Sequence, residues 1–285
     1  MRERIKKGQH VYYFNPIFFP GCIRIRIGLA TFGFPDLELV DAVRMCLRYS
    51  DHVHISPIYP EVSGGEVDEL LELKRFFGAD YSLHAPFPNA SKIADVGDDG
   101  AVGLFMESAE NAEKLGCDRM VIHSSTLDKK NIMYDNAMEI SKACLKLGLQ
   151  ACFENRGDAN AVLRDKESLI EFTQAVPEAN LCFDTGHYFM WGGTLKDMAE
   201  TITLLGDRIG MLHMVDTFPG QDAHMLPGYG EVSLRYLSEA FSSIPCFNTT
   251  PFIFEDQEPF EYEKGILNLR HALVSDKGMH DRNRD

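Results

Sequence analysis

His, Asp and Glu side chains close one short apolar run after another along most of this chain, and together they have the donor chemistry of a divalent-metal site. His84 ends Tyr81-Ser-Leu-His, His123 ends Met120-Val-Ile-His, and Glu154 ends Ala151-Cys-Phe-Glu. Asp184 and His187 lie in Cys182-Phe-Asp-Thr-Gly-His, and His213 in Met211-Leu-His. Asp222 and His224 share the loop Gln221-Asp-Ala-His-Met-Leu-Pro-Gly-Tyr-Gly, and Glu255 ends Pro251-Phe-Ile-Phe-Glu. One polar residue after an apolar strand means little, but six successive strands ending in these types is what a metal site at a barrel mouth needs. Glu154, Asp184, His213 and Glu255 offer a mixed nitrogen and oxygen shell suited to Mn²⁺, Zn²⁺, Mg²⁺ or Co²⁺. Carboxylates enclosed together repel one another and hold protons unless cations neutralise them, which also favours a metal. His187 follows Asp184 by three residues, and Thr185-Gly186 permits a turn that brings it back over the same site. His52 and His54 alternate onto one face of their run and have no assigned role, while His10, His271 and His280 read as surface residues.

Positioning these groups requires strands that all point the same way. Eight β-rich runs begin near Ile25, His52, Tyr81, Arg119, Gln150, Asn180, Ile209 and Pro251. Each is followed by a stretch of helical periodicity: 37–49, 67–77, 102–115, 136–147, 166–175, 194–205, 233–241 and 262–274. Gly116, Gly148 and Gly206 each follow a leucine at a helix end, where glycine commonly terminates a helix. The alternation predicts an α/β fold, a (β/α)8 TIM barrel in a single domain over 23–275. The C-terminal ends of its strands converge on one mouth. A doubly wound open sheet fits less well, because no Gly-x-Gly-x-x-Gly follows the first strand. Residues 1–22 are expected to be an N-terminal extension rather than a secretion signal, since Asn15, Pro16 and Pro20 interrupt the apolar stretch. Residues 276–285 are expected to be a polar C-terminal tail.

The formal net charge of −15, from 43 acidic against 28 basic residues, disfavours broad attraction to a phosphate backbone. Seven cysteines with no Cys-x-x-Cys pair read as reduced core thiols of a cytoplasmic protein. No run is long and apolar enough for a membrane span, so no membrane partner is expected. A homo-oligomer is possible, although no sequence feature marks an interface.

Ser-Leu-His-Ala-Pro, Phe-Glu-Asn, Cys-Phe-Asp-Thr-Gly-His, Leu-His-Met-Val-Asp with its following Asp-x-His and Pro-Gly-x-Gly, and the final Phe-Glu resemble the xylose isomerase-like TIM-barrel superfamily, AP endonuclease family 2. That superfamily includes sugar isomerases and epimerases and the endonuclease IV group of apurinic-site nucleases. Likeness to the isomerase branch implies one divalent ion held by Glu154, Asp184, His213 and Glu255, with a small sugar as substrate. The reaction is then proton transfer at the carbon beside a metal-bound carbonyl, with Glu154 and Glu255 carrying the proton and His187 bonding a substrate hydroxyl. Likeness to endonuclease IV implies that all nine groups hold up to three zinc ions, Glu154 bridging, to cleave DNA at abasic sites. Against the nuclease stand His123-Ser-Ser where that group has His-Pro-Gly, and a Ser56 to Gly65 loop without DNA-penetrating basic and aromatic residues. The isomerase reading is therefore preferred, and a barrel that binds a metal or small molecule without turnover is the weaker third reading. Substrate choice is expected to lie in the loops 87–99 and 217–231, with Lys92 and Arg156 the nearest cations for a phosphate.

Overall fold

The computed structural model describes residues 25–56, 64–86, 95–245, 247–255 and 262–275. The expected extension 1–22, the tail 276–285, residues 57–63 of the second loop and residues 87–94 with Lys92 lie outside the described residues. Eight strands form one closed, wholly parallel barrel in chain order. They are β1 (Arg26–Ala30), β2 (His52–Ile55), β3 (Asp80–His84), β4 (Arg119–His123), β5 (Gln150–Glu154), β6 (Asn180–Asp184), β7 (Ile209–His213) and β8 (Pro251–Phe254). The helices on the outside are α1 (Leu39–Cys46), α2 (Gly64–Phe77), α3 (Ala101–Lys114), α4 (Lys130–Lys146), α5 (Lys166–Ala175), α6 (Thr185–Met190), α7 (Leu195–Leu205), α8 (Leu234–Ser242) and α9 (Tyr262–Ser275). The (β/α)8 reading and all eight strand-helix units are thus present, with boundaries shifted by a few residues. The largest shift is in α4, which starts at Lys130 rather than near Asn136.

Two details differ from the sequence reading. Gly116 and Gly148 have the left-handed φ values of +64° and +75° that a helix-terminating glycine uses. Gly206 does not; at φ −57° it runs on into a short 3-10 turn, Gly206–Arg208, and a Cβ there would stand 3.3 Å from the Ile244 backbone. The extra short helix α6 begins immediately after β6. Asp184 caps it by accepting the His187 amide, so Thr185-Gly186 forms the first turn of a helix instead of a free turn.

Alternate strand residues face the barrel axis in stacked layers, of which the two nearest the C-terminal mouth position the site. The lower layer is Gly28, His52, Ser82, Val121, Cys152, Cys182, Met211 and Ile253. Its apolar members pack with Ala30 into a cluster separate from the larger core between strands and helices. Gly28 pairs with His52 across β1 and β2, and a Cβ on it would meet Ile253 Cδ1 at 2.5 Å and His52 Cδ2 at 2.8 Å. Glycine is therefore what lets two bulky neighbours share that layer. Two residues further along each strand lies the upper layer at the C-terminal mouth: Ala30, His54, His84, His123, Glu154, Asp184, His213 and Glu255. The five described buried cysteines are free thiols, two of them in the lower layer.

Candidate metal centre

Glu154 sits at the middle of the upper layer with no solvent exposure. Its Oε2 lies 3.2 Å from His84 Nε2 and 3.2 Å from His123 Nε2, while Oε1 lies 3.2 Å from His187 Nδ1 and 3.4 Å from His213 Nδ1. His213 Nδ1 also faces Glu255 Oε2 at 3.2 Å and Asp184 Oδ2 at 3.9 Å. Three of the donor groups whose atoms lie mutually within 4.8 Å hold the sequence-predicted residues: Glu154, Asp184, His213 and Glu255; His84, His123 and Glu154; and His187, Asp222 and His224. All nine sequence-predicted groups are therefore gathered at one mouth, and Glu154 belongs to two of the three sets.

Neighbouring segments hold these side chains in place. Asn155 clasps the end of β6, accepting the Asp184 amide at 2.8 Å and donating to the Asp184 carbonyl at 3.0 Å, which fixes Glu154 beside Asp184. The Thr185 hydroxyl donates to the Val215 carbonyl at 2.8 Å and lies 3.2 Å from the His213 carbonyl, which ties α6 to the end of β7. Gly186 leaves room for Val215, whose Cγ1 would stand 2.5 Å from a Cβ there. The loop carrying Asp222 and His224 is organised by buried Asp216, which accepts backbone N–H bonds from Thr217, Gly228, Gly230 and Val232 at 2.8 to 2.9 Å. His224 itself has φ +40°, an uncommon conformation for a non-glycine residue, in a loop that aims its ring inward. Arg156 is committed elsewhere, to the Ser124 carbonyl and to Asp158.

The donor set fits a cation on two counts. His84, His187 and His224 each point Nδ1 at a backbone carbonyl, those of Ala85, Asn155 and Glu255 respectively. A carbonyl only accepts, so Nδ1 carries the proton and Nε2 is left to face the mouth, as metal-ligating histidines are held. In addition, Glu154 Oε1, Asp184 Oδ2 and His213 Nδ1 are buried without a hydrogen-bond partner, and these same atoms converge. Buried unpaired groups of this kind are costly unless something sits among them.

Without an ion, protons take that place. Burial opposes charge on every group here, yet at His187 the Asp184 and Glu154 carboxylates outweigh it and raise its pKa to about 10. His224 is raised to about 9, against burial, by its bond to Asp222 and by Glu255. His213 is raised well above 6.5 against burial by Cys182, Glu255 and Glu154. Glu154 and Glu255 are lowered in turn, against burial, by the histidines facing them. Burial carries Asp184 up to about 6 and keeps His123 and His54 below their ordinary values.

The chain belongs to the xylose isomerase-like TIM barrel family, whose model matches residues 32–272. Among solved structures it is similar to a D-tagatose 3-epimerase-like protein, at 18% identity and TM-score 0.76 over 89% of this chain and 99% of that one. An L-ribulose 3-epimerase matches at 14% identity and TM-score 0.74, over 92% and 100%. The IolI protein with a bound zinc atom matches at 19% identity and TM-score 0.67, over 87% and 97%. A sequence search among curated proteins finds no match. At these identities the structural likeness speaks for the fold, and function must be argued from the site.

The sequence reading missed three residues of this arrangement. Asn155 and Asp216 act through backbone bonds, and their places at the ends of the Phe-Glu-Asn and Leu-His-Met-Val-Asp motifs were the signal that could have found them. His54 is the inward-facing residue of β2 in the upper layer, and the alternation of His52 and His54 was the signal that could have found it.

Two outcomes follow. Asp216→Asn removes one of the oxygens that serve four N–H groups, so stability is expected to fall by at least about 2 kcal/mol. Hydrogen exchange across 217–232 should rise with it; unchanged exchange there would contradict the anchoring role. His187 has a folded pKa above the unfolded value of 6.5, so its contribution to stability is full below 6.5 and is lost as pH rises through about 10. Thermal melts of chelator-treated protein across that range should therefore decline. Melts of metal-loaded protein should decline less, because a bound cation replaces the protons.

Proposed function

We propose that this protein is a divalent-metal-dependent isomerase or epimerase acting on a sugar or sugar-like hydroxy-carbonyl compound. The observation that carries the reading is the set Glu154, Asp184, His213 and Glu255, three of them without solvent exposure and Glu255 at 9%. Mn²⁺, Zn²⁺, Mg²⁺ or Co²⁺ bound there would supply Lewis-acid polarisation of a carbonyl and stabilise the negative charge that builds on its oxygen.

The chain's own residues do the remaining work. Glu255, the least buried of the four carboxylate and histidine groups, would take a proton from the carbon beside the carbonyl, and Glu154 would return one. His187 has its Nδ1 proton committed to the Asn155 carbonyl and presents Nε2 to a substrate hydroxyl. The relatives named as 3-epimerases favour a ketose substrate. Among the described residues no helix is long and apolar enough to cross a membrane. The free buried thiols suit a reducing compartment, and on that ground we propose a cytoplasmic location.

A second reading is favoured by the two further donor groups. His84 and His123 with Glu154, and His187 with Asp222 and His224, would add to the first set the donors for up to three zinc ions, Glu154 being common to two of the sets. Such a cluster suits water activation and phosphodiester cleavage of abasic DNA. The charge of −15 and the engagement of Arg156 with Asp158 weigh against a DNA partner.

Incubation of metal-loaded protein with ketoses in deuterium oxide, followed by NMR, tests the first reading. Deuterium should enter at the carbon beside the carbonyl, and Glu255→Gln should slow that exchange by about 10²-fold or more while the protein still binds metal. No exchange on any ketose together with cleavage of an abasic duplex would transfer the assignment to the hydrolase.

A further inference from the structure

Seven of the eight strands place a His, Asp or Glu in the upper layer, and only β1, with Ala30, does not. Six of those seven are accounted for by the proposed centre and its neighbouring donor groups. The seventh is His54, on β2. Its ring has no solvent exposure, and Nε2 has no hydrogen-bond partner. That nitrogen points at Glu255 Oε1 from 3.6 Å, and the ring lies edge-on to His213 with centroids 5.2 Å apart. His54, His213 and Glu255 themselves form a donor group with atoms within 4.8 Å of one another.

On the other side, His54 Nδ1 lies 2.8 Å from Ser82 Oγ, which lies 2.8 Å from His52 Nε2 in the layer below. A serine hydroxyl has one proton to give, so it donates to one ring and accepts from the other. If His54 served only to steady Glu255, its Nε2 would have to donate across 3.6 Å, which is too long for a hydrogen bond. Two atoms each about 2.1 Å from one ion stand about 3 to 3.5 Å apart, and both the 3.6 Å His54–Glu255 separation and the 3.2 Å His213–Glu255 separation are near that size.

We infer that His54, through Nε2, is a ligand for a cation shared with Glu255 and His213 on the β2 side of the Glu154 and Asp184 set; this rests on the reading of the mouth as a divalent-metal centre. His54 Nδ1 then donates to Ser82, and the Ser82 hydroxyl donates to His52 Nε2. That column fixes the tautomer with the electron pair of Nε2 facing the metal, the task outer residues perform for ligating histidines.

The test is titration of cobalt(II) into chelator-stripped full-length protein, reading both the dissociation constant and the visible absorption bands that report the ligand field. His54→Asn keeps a polar group at the Nδ1 position and removes the one at Nε2, whereas His54→Gln returns an amide oxygen near Nε2. His54→Asn is expected to weaken cobalt binding by about 10- to 100-fold and to alter the bands, with His54→Gln recovering most of the affinity. Ser82→Ala, which leaves the ring in place, is expected to weaken binding by about 10-fold and decides the matter if the histidine variants do not fold. Wild-type affinity and spectrum in His54→Asn, or equal losses in the Asn and Gln variants, would overturn the ligand role while leaving the metal centre standing. Failure of the wild type to take up cobalt would overturn the metal centre and this inference with it.

Discussion

Glu154 is a carboxylate with no access to water, and the arrangement of the barrel mouth follows from that constraint. An ionised carboxylate taken out of water must be compensated by positive charge and by hydrogen bonds, or it takes up a proton. Here each of its oxygens meets two histidine rings, and the rings in turn meet Asp184, Glu255 and Asp222. Removing one member leaves an uncompensated charge for the others. The mouth is thus a single electrostatic unit that can be balanced by protons on the histidines or by divalent cations among them.

The fold supplies what such a unit needs. Parallel strands in register bring residues from distant parts of the chain to one level, as His123 beside Glu154 and Asp184 beside His213 illustrate. Rigidity comes from below, where Gly28 makes room for His52 and Ile253, and from the rim, where Asn155, Thr185 and Asp216 bind neighbouring backbone. Donors carried by strand ends are buried and fixed. Asp222, carried by a loop, has a half-exposed side chain at the rim.

Much of this was legible in the sequence because a barrel converts strand order into spatial order. Once eight apolar runs alternating with helices imply a parallel barrel, a polar residue at the end of a run has only one place to point. That logic brought six groups to the mouth, His84, His123, Glu154, Asp184, His213 and Glu255, while His187, Asp222 and His224 come from the first turn of α6 and from the 217–231 loop. It failed where function depends on the opposite party to a contact rather than on residue type. Asn155 and Asp216 work by bonding backbone groups up to 29 residues away, and an Asn or Asp taken singly looks the same whether it does this or not. His54 shares one face of its run with His52 and has no assigned role in the sequence reading, because the sequence does not say that this face is the inward one. Gly206 fits the terminating pattern by position, but the chain there keeps a helical φ and continues into a 3-10 turn.

The account stands or falls on whether a cation occupies the space among Glu154, Asp184, His213 and Glu255. Anomalous diffraction from a crystal of the protein, purified without chelators and measured on both sides of the zinc and manganese absorption edges, would place any such ion directly. The account predicts a peak within bonding distance, roughly 2.0 to 2.3 Å, of Glu154 Oε1, Asp184 Oδ2, His213 Nδ1 and a Glu255 oxygen. A mouth free of anomalous density after soaking in either metal, with the histidines bonded to the carboxylates through protons alone, would contradict it.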